Sequence, residues 1–131
     1  MGSLANIGIK TNRFVILLVL LGPMCLLHPL QAKTIDKKNL IHQRLDQGDR
    51  YLKAEKFTKA AKKYNQLIED APYSISAKVA RLHLIYADYA NEAFDQSYMD
   101  STLFLQLYPQ DEHADYALYM KALSNDQNKN S

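Results

Sequence analysis

Six residues between Gly48 and Pro72 constrain this chain more tightly than anything else in it. Counted from Ile41, Gly48, Tyr51, Ala60, Tyr64, Leu67 and Pro72 fall at positions 8, 11, 20, 24, 27 and 32. Each has a packing reason. Gly48 and Ala60 are small where two antiparallel helices press together, and Tyr51 and Tyr64 fill the volume beside them. Pro72 cannot continue a helix, because it lacks the amide hydrogen and its ring collides with the preceding turn.

This spacing is that of a tetratricopeptide (TPR) repeat, a helix–turn–helix unit of about 34 residues. The surrounding periodicity agrees. Leu40, Ile41, Leu45, Gly48 and Leu52 recur at threes and fours, as do Phe57, Ala60, Ala61, Tyr64, Leu67 and Ile68. Lys53-Ala54-Glu55-Lys56 reads as the tight turn between them, and Ser74 or Ser76 as the cap of the next helix. The second unit runs from Ile75 to Pro109, which lies 37 residues after Pro72. Its excess over the usual length is assigned to a longer first helix. The turn is placed near Asn91-Glu92 and the second helix at Phe94 to Leu107. Ser97 and Ser101 stand where the repeat prefers Ala and a large residue, so this unit reads as degenerate. A fifth amphipathic helix is expected from Glu112 to Leu123. The fold class is therefore all-α: a TPR-like array of two antiparallel helix pairs plus one C-terminal capping helix. Most of the nine tyrosines are expected in the core or in seams between repeats.

The N-terminus reads differently. Lys10 and Arg13 precede the apolar run Phe14 to Leu21, and Gly22-Pro23 interrupts it. A basic start, a short apolar stretch and a polar exit describe an export signal. Three outcomes stay open: lipidation at Cys25, cleavage after Ala32, or an uncleaved anchor. The organisation is thus 1–32 signal or anchor, 33–39 linker, 40–123 TPR-like domain and 124–131 disordered polar tail. From Lys33 onward, bases and acids balance at 14 each, which speaks against a nucleic-acid surface. The charges are nevertheless segregated. Lys33 to Lys63 holds ten bases and four acids, and Glu69 to Asp126 holds ten acids and three bases.

No catalytic constellation is visible. His28, His42, His83 and His113 lack metal-ligand spacing, and there is neither a Gly-rich phosphate loop nor a nucleophile elbow. The reading is a non-enzyme without a cofactor. The first helix of each unit would line an inner groove. That selects Leu45, Asp49, Leu52 and Lys53, then Val79, His83 and Tyr86, then Tyr116 and Met120, a mixed aromatic and aliphatic lining suited to a peptide. His42, Ser76, Ala87, His113, Leu123 and Ser124 occupy the remaining inward places.

Four ordered blocks carry a more specific resemblance. They are Pro72-Tyr73-Ser74, Leu82-His83-Leu84-Ile85-Tyr86-Ala87-Asp88-Tyr89, Phe104-Leu105-Gln106-Leu107-Tyr108-Pro109 and Asp115-Tyr116-Ala117-Leu118-Tyr119-Met120-Lys121-Ala122-Leu123. Together they resemble the BamD family, TPR lipoproteins of the outer-membrane β-barrel assembly machinery in Gram-negative bacteria. The resemblance covers about Leu40 to Leu123, the N-terminal half of that family's array, and Ala122 stands where the family carries Gly. It implies binding of outer-membrane protein clients at these repeats, a BamA-type subunit as a further partner, and a periplasmic location with possible anchoring at Cys25. The alternative is a short envelope adaptor or truncated paralogue that couples envelope proteins as a dimer.

Overall fold

The computed structural model describes residue 34 and residues 36–130. By internal packing the chain divides after Lys37, and the helices below belong to the second unit, Lys38–Ser131. The segment 1–32, including Cys25, lies outside the described residues.

Among the described residues there are five helices and no strand: α1 (residues 38–53 of this unit), α2 (Phe57–Asp70), α3 (Ile75–Ala90), α4 (Phe94–Leu107) and α5 (Ala114–Asn130). Neighbours in sequence pack as neighbours in space, α2 on α3, α3 on α4 and α4 on α5, with α5 also reaching α3. The TPR-like array expected from the repeat spacing is therefore present.

α2 shows why the pattern folds this way. Ala60, Tyr64 and Leu67 recur at four and three residues and are fully buried, while Lys59 and Lys62 on the other side are exposed. Burying a side chain such as Leu67 contributes about 1.5–3 kcal/mol, more than any propensity term in this helix. With Ala77, Ala80, Leu84 and Ala87 of α3 these residues form a first core, flanked by Ile41, Leu45, Tyr51 and Leu52. A second core joins Leu82 and Ile85 of α3, Phe104 of α4, and Ala117 and Met120 of α5. α3 is apolar on both flanks because it serves both.

The turns within the two pairs are copies of each other. Glu55 and Glu92 both adopt positive φ, 54° and 62°. The next amide in each case reaches back five residues, Lys56 N to Tyr51 O at 2.9 Å and Ala93 N to Asp88 O at 2.9 Å. This arrangement ends a helix while satisfying its last carbonyls, at a conformational cost that Gly would avoid. α2 and α4 are both 14 residues and α3 has 16. Ser74 caps α3, its Oγ accepting from Ala77 N at 3.0 Å.

Three expectations are corrected. Residues 36–39, read as linker, are helical. α5 begins at Ala114 rather than Glu112, because Asp111 makes a turn of its own, its Oδ1 accepting from His113 N at 3.0 Å. The stretch from Ser124, read as a disordered tail, continues α5 to Asn130. Ser124 is fully buried, its Oγ 2.8 Å from Met120 O and 3.0 Å from Ser97 Oγ, and extending an existing helix needs no new nucleus. Most of the tyrosines lie in the cores or seams as expected: Tyr64 is fully buried, Tyr51, Tyr89 and Tyr108 pack against the two cores, and Tyr86 and Tyr116 lie between first helices. Tyr73, on the turn beyond Pro72, is 99 % exposed, and Tyr119 is exposed on the outer face of α5.

Candidate functional site: an inner groove

The first helices of successive pairs stand side by side, so the residues they turn to the inside share one surface. A cavity of about 300 Å³ opens there, lined by Leu52 of α1, Val79, Leu82, His83 and Tyr86 of α3, His113 from the turn before α5, and Tyr116 of α5. Five residues expected in the groove, Leu52, Val79, His83, Tyr86 and Tyr116, are thus gathered on one wall from three helices. Leu82 was not expected in this lining. Its apolar side chain also belongs to the second core, and periodicity alone assigns it there.

The other expected residues sit elsewhere. Leu45 packs against the first core. Lys53 is exposed at the end of α1. Met120 lies one turn beyond Tyr116 on the same side of α5, and there Leu82 and Ile85 of α3 and Phe104 of α4 bury it. Asp49 lies behind the lining rather than in it. Its Oδ1 accepts from Tyr64 Oη at 2.8 Å and lies 2.9 Å from His83 Nδ1. Tyr64 and His83 also meet edge to face, ring centroids 5.6 Å apart. The carboxylate thus ties α1 to α2 and α3 at once and fixes the orientation of the His83 imidazole in the wall. Burial first, then the hydrogen bond to Asp49 and its charge, push the Tyr64 phenol far above its ordinary range, so it remains a donor.

The aromatic rim is ordered in the same way. Phe57 braces Tyr86 edge to face at 6.4 Å, and Tyr86 is 44 % exposed. Burial first, then the charge of the Tyr86 phenol, raise the Tyr116 phenol, and both residues line the cavity. Such a wall offers apolar contact with a few fixed polar groups. Among the described residues, no three of His, Cys, Asp and Glu gather as a metal cluster.

Stacked helix pairs around a partly aromatic inner groove define a TPR-like helical scaffold. Residues 38–131 match the family model described as outer membrane lipoprotein, YfiO, and the chain belongs to that BamD-like family of non-catalytic, TPR-like envelope lipoproteins. No solved structure matches the chain. Among the described residues no helix is long and apolar enough to cross a membrane.

Proposed function

We propose that this chain is a non-enzymatic binding module of the Gram-negative cell envelope. It takes part in outer-membrane β-barrel protein assembly by holding a client or a BamA-type partner in the inner groove. The observation that carries this reading is the convergence of Leu52, Val79, His83, Tyr86 and Tyr116 on one cavity, with Tyr86 and Tyr116 exposed at its mouth. Large aromatic rings at a partly desolvated mouth are the usual energetic anchors of a peptide site.

The groove is open and mostly apolar, which suits an extended or helical segment rather than a charged small molecule. Peptides ending like barrel strands, tested for capture by the full chain, check the proposal. Retention is expected, and its absence under all buffer conditions would remove the reading. The periplasmic location is part of the same proposal, with lipidation at Cys25, cleavage after Ala32 or an uncleaved anchor as its three routes. Mass spectrometry of the mature N-terminus separates them, because a diacylated Cys25 and a free Lys33 are mutually exclusive.

A further inference from the structure

Antiparallel packing gives the array two edges, each made of helix ends. One edge carries the tight turns within the two pairs. Lys53, Ala54, Glu55, Lys56, Asn91 and Glu92 are exposed there, and none is a large apolar residue. The other edge carries the start of α1, the turn Ala71 to Ser74 and the turn before α5. Arg44 fixes the start of α1 on it, its Nη1 donating to Gln66 O at 3.2 Å and pairing with Asp70 at the end of α2. Lys78 Nζ, 2.5 Å from Asp111 Oδ2, ties in the turn before α5.

This second edge turns apolar bulk to solvent. Tyr73 is 99 % exposed and Ile75 is 81 % exposed. The pair before them, α1–α2, and the pair after, α3–α4, are both in place with α5 beyond, so this is not the exposure of an array end. Tyr73, Ser74, Ile75, Lys78 and Tyr108 line a shallow depression of about 260 Å³. The turn itself asks for neither side chain. Pro72 stops α2 and Ser74 caps α3 whatever stands at 73 and 75.

Three observations select a lipid surface as the cover. The chain enters α1 at this edge, after the basic and apolar run from Lys10 to Leu21 that reads as an export signal or anchor. A bilayer holding that segment meets this edge first, since the opposite one lies a helix length away, about 21–24 Å. Asp70 and Asp111, three residues from Tyr73 and Tyr108, are paired with Arg44 and Lys78, which lowers their repulsion of lipid phosphates. Tyrosine is a residue of membrane–water interfaces, where its ring is covered and its hydroxyl stays wet.

We propose that the edge carrying Tyr73 and Ile75 rests on a phospholipid bilayer, with both side chains sunk to headgroup level and the array standing on its turns. The proposal rests on the anchored forms of the envelope reading above. Two side chains bind a bilayer weakly by themselves, and the attached segment supplies the effective concentration that makes the contact persist. Tyr86 and Tyr116 take no part, so failure here leaves the groove reading intact.

The chain has no tryptophan, so a single one reports its own surroundings. Full-chain Tyr73→Trp and Lys56→Trp place it on opposite edges at exposed positions. Each is mixed with vesicles of phosphatidylethanolamine and a minority of phosphatidylglycerol, doped with phosphatidylcholine brominated on its acyl chains near the glycerol. Emission from residue 73 is expected to shift to the blue and to be quenched several-fold more than emission from residue 56. Adding Ile75→Asp to Tyr73→Trp should lower quenching to the level at residue 56. Far-UV circular dichroism should not change, because an acid in the first turn suits the helix dipole. Co-sedimentation with the vesicles reads the attached segment separately. A chain left in the supernatant overturns the proposal and membrane anchoring alike. One that sediments with residue 73 unquenched, or quenched equally with residue 56, overturns the proposal alone. So does a blue shift without quenching, which would seat protein rather than lipid against residue 73.

Discussion

Gly48 of α1 lies so close to the ring of Tyr64 on α2 that a Cβ at position 48 would stand 2.8 Å from Cδ1 and 2.9 Å from Cζ. The ring has nowhere to go. Tyr64 is fully buried and its hydroxyl is held by Asp49. Gly48→Ala therefore sets a helix-propensity gain of about 1 kcal/mol against an overpacking cost of about 1–3 kcal/mol. Overpacking is expected to win, lowering the thermal midpoint by several degrees. A midpoint equal to or above that of the parent would show that the ring yields.

The second pair solves the same contact the other way round. The 37-residue spacing places Ile85 where the first pair has Gly48, and Ser101 where it has Tyr64, and both are fully buried. The large residue has changed helices. Ser97 stands in the place of Ala60, and its Oγ donates to Ile85 O at 2.9 Å and lies 3.0 Å from Ser124 Oγ. Ser101 Oγ is buried without a hydrogen-bond partner. Alanine should therefore act in opposite senses at the two sites. Ser97→Ala is expected to destabilise by about 1–2 kcal/mol, and Ser101→Ala to be neutral or stabilising. Urea unfolding of both variants decides it, and equal effects would contradict the assignment.

Asp88 supplies a pH dependence of definite sign. Burial between α3 and α4, then the hydrogen bond and charge of Asp100 beside it, push its carboxyl up from 3.8 to about 7. The folded state therefore binds this proton more readily than the unfolded chain does. The stability it contributes is fully present below about pH 4 and is lost as pH rises through about 7. Asp88→Asn keeps the shape without the charge. It is expected to raise stability near pH 8 by about 1–3 kcal/mol and to flatten the profile between pH 4 and 8. Thermal midpoints for parent and variant across that interval check this, and parallel profiles would refute it.

The groove makes a separate prediction. Tyr86→Ala and Tyr116→Ala remove partly exposed rings at the cavity mouth without opening either core. Each is expected to weaken capture of a barrel-strand peptide about tenfold, with a thermal midpoint close to that of the parent. Loss of folding in place of loss of binding would reassign these rings to packing.

Local order was the legible part of this protein. The Gly48 to Pro72 spacing, the turn at Asn91-Glu92 and the bounds of α4 could all be read from residues alone. They depend on interactions within a few residues or within one helix pair, and the repeat registers both. The exchange of bulk between Gly48–Tyr64 and Ile85–Ser101 was not legible, because Ser97 and Ser101 look like losses until the partner helix is in place.

The sequence by itself determined that this chain is an array of helix pairs and which family its words belong to. Periodicity and small-residue spacing act along the chain, and no neighbour is needed to express them. The tertiary structure alone decided which residues share a surface. It turned Met120 into the core and Tyr116 into the groove, placed Asp49 behind His83, and drew the polar end of the chain into α5 through Ser124. Those outcomes depend on how one helix lies against the next, and a side chain's direction along its own helix does not reveal what it will meet.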